Sequence, residues 1–591
     1  MHASSTPDDH PASRRPTLSV FALAVGIVFF AFSLTPSLIP RDYVLQGALG
    51  GVVMALGYGL GQFGLLLWRY VELPLARDRL GRALNALALV AAVGLALYFL
   101  GETADWQNSI RARVGMAPVD AGHPAYVALI AIIVFTPLWI AGWAFQLLMD
   151  TLRRQLRRVI PVRLANLLGL TLAAYVAWAL IDGFVIQRFL AFADDAYGQA
   201  SALFDPDIAR PEAELASGGP VSLIDWNDMG RWGRNFAATG PDADAISAFT
   251  GRPAKEPIRV YVGRNSASTP AERTEIAFAE MLRTGAFERK VLVIAMPVGS
   301  GWLDAGSHDP LEIMHDGDIA TVAVQYSYLT SWISLVFETD AGLDQAQTLF
   351  DRVYRHWRSL PEDRRPELYL HGLSQGALVS QSSVDLLTLM AAPIDGALWA
   401  GPPFASGLWG RITRARAPDS PYWLPQVNDG EVVRFVNQDT DLLDDAAHRW
   451  GPVRIVFLQY GSDPIVFFDP LSALRRPVWM NEEPAPDVSP ELRWYPFVTL
   501  FQLALDMALS LNIERGHGHK YIAEDYIPAW VAVTRPDGWT DEDTQRLIER
   551  FRGFDGGESH PGDERRTSVR RLPIHHSPAV SSFPCRQARS T

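Results

Sequence analysis

Five long apolar runs crowd the first third of the chain, and a soluble fold has no ready way to bury five such segments joined by short arginine-bearing connections. They read "LSVFALAVGIVFFAFSLTPSLI", "VLQGALGGVVMALGYGLGQFGLLLW", "ALNALALVAAVGLALYFL", "AYVALIAIIVFTPLWIAGWAFQLLM" and "ANLLGLTLAAYVAWALIDGFVIQRFL". Each meets or exceeds the ~18 apolar residues expected of a bilayer-spanning helix, and Asp182 is the main charge within them. The runs predict helices over about 17–38, 44–68, 83–100, 125–149 and 165–190. Arg14 and Arg15 precede the first run as in a signal peptide. Its length and the lack of a small-residue cleavage site favour a retained anchor.

Arginine in the connections sets the expected orientation, because cytoplasmic loops carry the excess of positive charge. Arg14 and Arg15 in the tail, Arg77, Arg79 and Arg82 in the second connection, and Arg153, Arg154, Arg157, Arg158 and Arg163 in the fourth make ten. The first and third connections hold three, Arg41, Arg111 and Arg113. A cytoplasmic N-terminus and five spans then put everything after about residue 190 outside the cytoplasm.

The net charge of −13, with the basic excess confined to the membrane half, argues against nucleic acid as a partner. The only cysteine is Cys585, so no intramolecular disulfide can form. Nothing in the sequence fixes the oligomeric state.

Residues 191–255 are rich in Gly, Pro, Asp and Ala with weak periodicity, which reads as a connector that becomes part of the following domain around "DWNDMGRWGRNF". From 256 to 555 short β-branched runs alternate with helical ones. Strands are expected at "IRVYVG", "KVLVIAM", "IATVAVQYS", "ELYLHG", "IDGALWAG", "EVVRFVN" and "VRIVFLQYGSDPIV". Apolar strands separated by helices imply a mostly parallel sheet covered on both faces. The polar tail 556–591 lacks periodicity and reads as disordered.

"LYLHGLSQGALVSQ" places Ser374 between two glycines at a predicted strand-to-helix turn. That is where a serine nucleophile is exposed at the carboxyl edge of a sheet. A nucleophilic serine needs a base, an orienting acid and donors for an oxyanion. Asp463, ending the apolar strand of "RIVFLQYGSDPIV", is the preferred acid; Asp439 and Asp441 in "FVNQDTDLL" are rivals. The base is expected in "ERGHGHKY", at His519 or alternatively His517. Gln375 and either Val298 or Gly299 are the expected oxyanion N–H donors, since Pro297 has none to give. His517 and His519 also have the spacing to share a metal ion, but no further ligands accompany them.

These stretches, with "MPVGSGW", "GDIATVAVQYSYLTSWIS", "RWYPFVTLFQLALDM" and the five apolar runs, resemble the membrane-anchored α/β-hydrolases of bacteria. The resemblance spans roughly residues 220–540. It implies an N-terminal all-α transmembrane bundle of about five helices (17–190), after a cytoplasmic tail (1–16), and then an α/β-hydrolase-type domain. It also implies a bacterial inner-membrane location and Ser374, Asp463 and a histidine of "GHGH" as the triad. The family turn commonly reads Gly-Glu-Ser-x-Gly, whereas Leu373 and Gln375 flank the serine here.

The expected activity is a serine hydrolase acting on an ester of a lipid or acylated envelope component. Such chemistry calls for no cofactor and no metal. An acyltransferase would use the same residues, and a membrane receptor or transport component would bind without reacting. "YPFVTLFQLALDMALSL" (495–511) reads as a core helix in preference to a membrane-dipping one or a substrate lid, and "SYLTSWISLVF" (327–337) either lines an acyl pocket or packs beneath the sheet.

Overall fold

The computed structural model describes residues 18–74, 79–120, 122–156, 208–329, 339–384, 392–439 and 449–554, with a few isolated positions between them. The predicted fifth span, the tail beyond 555, Asp441 and most of 327–337 lie outside these residues.

Four apolar helices come first: α1 (Val20–Ser33), α2 (Tyr43–Tyr70), α3 (Arg79–Arg113) and α4 (His123–Leu156). Three of them, α2, α3 and α4, are long and apolar enough to cross a bilayer, so the described residues do not hold the expected five. The first run breaks after 14 residues, roughly 21 Å of helix, short of a ~30 Å hydrocarbon core. Its remaining apolar residues serve another purpose: Leu38 and Ile39 are buried in the core of the sheet domain.

The stretch expected as a connector carries α5 (Gly230–Thr239) and α6 (Ala243–Thr250), whose Ala237 and Ile246 join that core. The sheet domain continues with β1 (Ile258–Val262), α7 (Pro270–Thr284), β2 (Val291–Met296), α8 (Ala305–Met314), β3 (Ile319–Val324), α9 (Thr339–Ser359), β4 (Glu367–Leu373), α10 (Gln375–Ser382) and β5 (Gly396–Ala400). It closes with α11 (Gly407–Arg414), β6 (Val433–Val436), β7 (Arg454–Leu458), the short α12 (Pro464–Phe467), α13 (Val498–Ala508), α14 (Ala523–Thr534) and α15 (Asp541–Phe551). The local signals are explicit: Thr269 and Glu272 form a capping box on α7, with Pro270 in its first turn.

All seven strands are parallel, in the order β1-β3-β2-β4-β5-β7-β6. Helices cover both faces, α7, α9 and α10 packing together on one and α8, α14 and α15 on the other. This is why β1 to β5 are buried along nearly their whole length rather than alternately. Chain direction across the sheet reverses between β2 and β4, and a crevice at the carboxyl ends of such strands is where α/β folds bind ligands. Register pairs Met296 with Gly372, Leu373 with Ala400 and Ala400 with Leu458, which brings the loops after β2, β4, β5 and β7 to one edge.

Candidate active site

Ser374 joins β4 to α10 with φ 56° and ψ −127°, a conformation that costs a non-glycine residue about 1–3 kcal/mol and clusters at functional sites. Close packing enforces it. A Cβ on Gly376 would lie 2.1 Å from the Met296 carbonyl oxygen, and one on Gly372 2.4 Å from the backbone of Gly376. The Ser374 N–H donates to the Ala400 carbonyl at 2.9 Å, tying the turn to the end of β5.

Asp463 caps α12, one carboxylate oxygen accepting from the Ile465 N–H at 2.8 Å. Its other oxygen lies 2.7 Å from His519 Nδ1 and accepts from the Tyr521 hydroxyl at 2.8 Å. That contact places the proton on Nδ1, and Nε2 has no hydrogen-bond partner among the described residues. The imidazole lies against Gly401, whose added Cβ would be 2.7 Å from Cε1, one residue past the carbonyl that holds Ser374. Asp463, His519 and Ser374 are all buried.

Of the two histidines in the "GHGH" loop, only His519 faces Asp463. His517 is turned to Asp487, at 4.0 Å, and to Gln438. Asp439 takes part in turn geometry, its N–H bonded to the Asn437 side chain at 3.0 Å. Of the expected oxyanion donors, Val298 is occupied: its N–H donates to the Trp302 carbonyl at 3.1 Å, closing the loop on itself. Gly299 N–H carries no such bond among the described residues. Tyr261 and Gln325 hold this loop by its Gly301 and Ser300 carbonyls. Gln375 begins α10 beside the serine, and its buried side-chain amide is unpaired at both ends among the described residues.

Three residues of the site carry no recognisable spacing signal in the sequence. Tyr521 donates to Asp463 and accepts from the Tyr460 N–H at 3.4 Å; burial and then the Asp463 charge hold its phenol well above the usual value, so it stays a donor. Ser462 accepts from the Gly518 N–H at 2.9 Å and donates to Asp487 at 2.6 Å, fixing the residue before the base. Burial works to raise the Asp487 carboxyl, but its bonds from His517, Ser462 and Gln438 outweigh this and hold it low.

Below the site, Tyr460 stacks on Tyr521 with centroids 4.4 Å apart and hydrogen-bonds Asp525. Burial pushes the Asp525 carboxyl up to about 7. His371, three residues before the serine, points elsewhere: its Nδ1 meets the Leu398 carbonyl at 2.8 Å and its Nε2 the Ser307 hydroxyl at 3.0 Å. Burial lowers it to about 4, so it is a neutral core histidine. Among the described residues no group of three or more His, Cys, Asp or Glu side chains is placed to hold a metal ion.

A parallel sheet with a strained strand–serine–helix turn and a His–Asp pair at the same edge defines a hydrolase-type α/β protein. Residues 258–547 match the model of an alpha/beta-hydrolase family, and residues 34–241 match the model of that family's N-terminus. The chain belongs to this alpha/beta-hydrolase family, and the three long apolar helices are compatible with membrane anchoring. No curated protein and no solved structure matches it.

Proposed function

We propose that the protein is a membrane-anchored serine hydrolase that cleaves an ester of a lipid or acylated envelope component through an acyl-enzyme. The observation that carries this is the 2.7 Å His519–Asp463 contact, which leaves Nε2 without a hydrogen-bond partner among the described residues, at the sheet edge where the strained turn presents Ser374. Ser374 Oγ attacks the ester carbonyl carbon while His519 Nε2 takes its proton, and Asp463 keeps the other ring proton in place. The N–H groups of Gln375 and Gly299 receive the developing oxyanion. Collapse expels the alcohol, which takes the proton from His519; water then attacks the acyl-enzyme with the same base and releases the acid.

Helix geometry supports the anchored, outward-facing reading. Gly47 and Gly51 of α2 lie against Val127 and Ala131 of α4, so these helices run the same way, while Gly61 meets Ala22, so α1 runs opposite. The carboxyl ends of α1 and α3 and the amino ends of α2 and α4 therefore face the sheet domain, where Arg41 meets Asp506 and Ser109 meets Ser489. The chain leaves α4 on the far side and rejoins the domain's core at Ile208. The arginine-poor connections are those on the domain side, as the charge rule asks.

A fluorophosphonate probe tests the chemistry. It is expected to label the native protein and neither Ser374→Ala nor His519→Ala; native protein that is folded yet unlabelled would refute the enzyme reading.

A further inference from the structure

The sheet domain carries an apolar patch of its own on the side of the membrane helices. Leu471, Leu474 and Val478 are 49%, 71% and 50% exposed. They stand among Arg475, Arg476, Trp479 and Trp494, and the sequence that carries the first five of these residues and Trp479 is "PLSALRRPVW". Apolar side chains mixed with arginine and tryptophan compose the headgroup level of a bilayer.

Depth can be counted. Trp68, Arg69 and Tyr70 end α2 as an interfacial cluster, and roughly 20 residues of helix, about 30 Å, reach back from Leu67 to Ala48. Leu49 and Val53 then lie just inside the hydrocarbon, and Val498 of α13 is buried against both. On α3 the first acids past the apolar run are Glu102 and Asp105, which puts Phe99 at the same boundary. Phe99 lies 6.1 Å from Phe32, which stacks on Tyr495 at 4.1 Å. Both counts set residues 495–498 at the bilayer edge. The patch is tied to that stretch: Phe497 N–H donates to the Ala473 carbonyl at 2.8 Å, and the Trp494 indole to the Ser472 carbonyl at 2.7 Å.

We infer that residues 470–480 form a foot by which the catalytic domain rests in the phospholipid headgroup layer of the leaflet it faces. The inference rests on the membrane-anchored reading of the helices. Leu471, Leu474 and Val478 enter the acyl boundary, and Arg475, exposed and paired with Asp469 at 3.8 Å, meets lipid phosphate. Arg476 and Trp479 also wall a cavity of about 190 Å³, and Gly461, two residues before Asp463, lines it too. Docking at the foot thus brings the leaflet to a cavity beside the acid's loop, which suits an amphiphilic substrate.

The full-length chain with Cys585→Ser, in phosphatidylcholine–phosphatidylglycerol nanodiscs, tests this with a nitroxide at Leu474→Cys. Power saturation compares access of oxygen with that of an aqueous nickel chelate. Leu97→Cys on the outward face of α3 serves as the bilayer reference. Asp537→Cys, beside Lys290 at the amino edge of the sheet, serves as the water reference. The oxygen-to-nickel ratio at 474 is expected several-fold above that at 537 and below that at 97. A ratio at 474 equal to that at 537, with 97 in lipid, overturns the foot alone. A water-accessible 97 overturns the membrane reading and the foot with it.

Discussion

Ser374 and His519 reach one edge of the sheet by different means. The serine is locked by backbone of adjacent strands, Met296, Gly372 and Ala400. The histidine sits in a loop held by residues scattered along the chain. His519 N–H donates to the Ser510 carbonyl at 3.0 Å, Ser462 holds Gly518, and a Cβ on Gly518 would touch Ile39 of the α1–α2 connection at 3.2 Å. The serine half is thus built by the sheet alone, and the histidine half by the sheet domain and the α1–α2 hairpin together. The loop's own bonds, from Gly516 N–H to the Lys520 carbonyl at 3.0 Å and from Lys520 N–H to the His517 carbonyl at 3.1 Å, are supplemented by what packs on it.

The largest effect should come from the link that joins the two halves. Asp463→Asn leaves a side chain of the same shape but favours the wrong imidazole tautomer, so ester turnover should fall by roughly 10⁴ with the fold unchanged. Rate measurement beside thermal unfolding checks this. A fall of less than tenfold would mean that His519 does not depend on Asp463 for its orientation.

Next is the α1–α2 hairpin. Arg41 and Asp506 are fully buried and 2.8 Å apart, and Asp506 also accepts from the Leu38 N–H at 3.0 Å. Arg41 reaches Gln46 as well, and its N–H donates to Gln107 of α3 at 2.8 Å. Arg41→Met strands a buried carboxylate, which costs about 3–5 kcal/mol, whereas Arg41→Met with Asp506→Leu removes the charge and should recover much of it. Denaturation of the detergent-solubilised protein reads both. An Arg41→Met protein as stable as native would mean that the histidine half owes nothing to the hairpin.

The two halves should also respond to pH with opposite sign. Near the serine, His371 is pushed down to about 4, so its contribution is present above the ordinary histidine value of ~6.5 and is lost as pH falls from there through 4. Under the histidine, Asp525 is raised to about 7, so its contribution is full below the ordinary ~3.9 and is lost as pH rises through 7. Asp525→Asn should remove a decline of a few kcal/mol between pH 4 and 7, and His371→Gln should flatten the acid side. Unfolding free energies at pH 4, 5.5, 7 and 8.5 separate the two; an unchanged profile in Asp525→Asn would show that the carboxyl ionises at its ordinary value.

Much of this was legible from residue patterns because the information was local. Strand placement followed from continuous apolar runs, and the turn at Ser374 from two glycines with no room for a side chain. What the pattern could not carry was long-range. Leu34, Leu38 and Ile39 read as the end of a spanning helix because hydropathy does not distinguish lipid from protein interior, yet they pack in a loop. The segment 495–511 reads as a core helix in preference to a membrane-dipping one or a lid, but its pattern does not say which core: Val498 packs on α2 and Asp506 binds Arg41, both far upstream in the chain. Asp487 lies 25 residues from the Ser462 it binds, a separation with no period to reveal it.

Tyr521 offers the finest test of how the histidine half is held. It donates to the Asp463 oxygen that also faces His519, so it draws charge from the carboxylate while fixing its position. Phenylalanine keeps the ring stacked on Tyr460 and removes only the hydroxyl. The loss of one hydrogen bond to a charged group, about 1.5 kcal/mol, should lower kcat roughly tenfold with KM little changed. A merely structural role would lower stability and leave kcat in place. Because the phenol is held well above its usual value, the native donor persists through the alkaline range, and the gap between native and Tyr521→Phe should not close there.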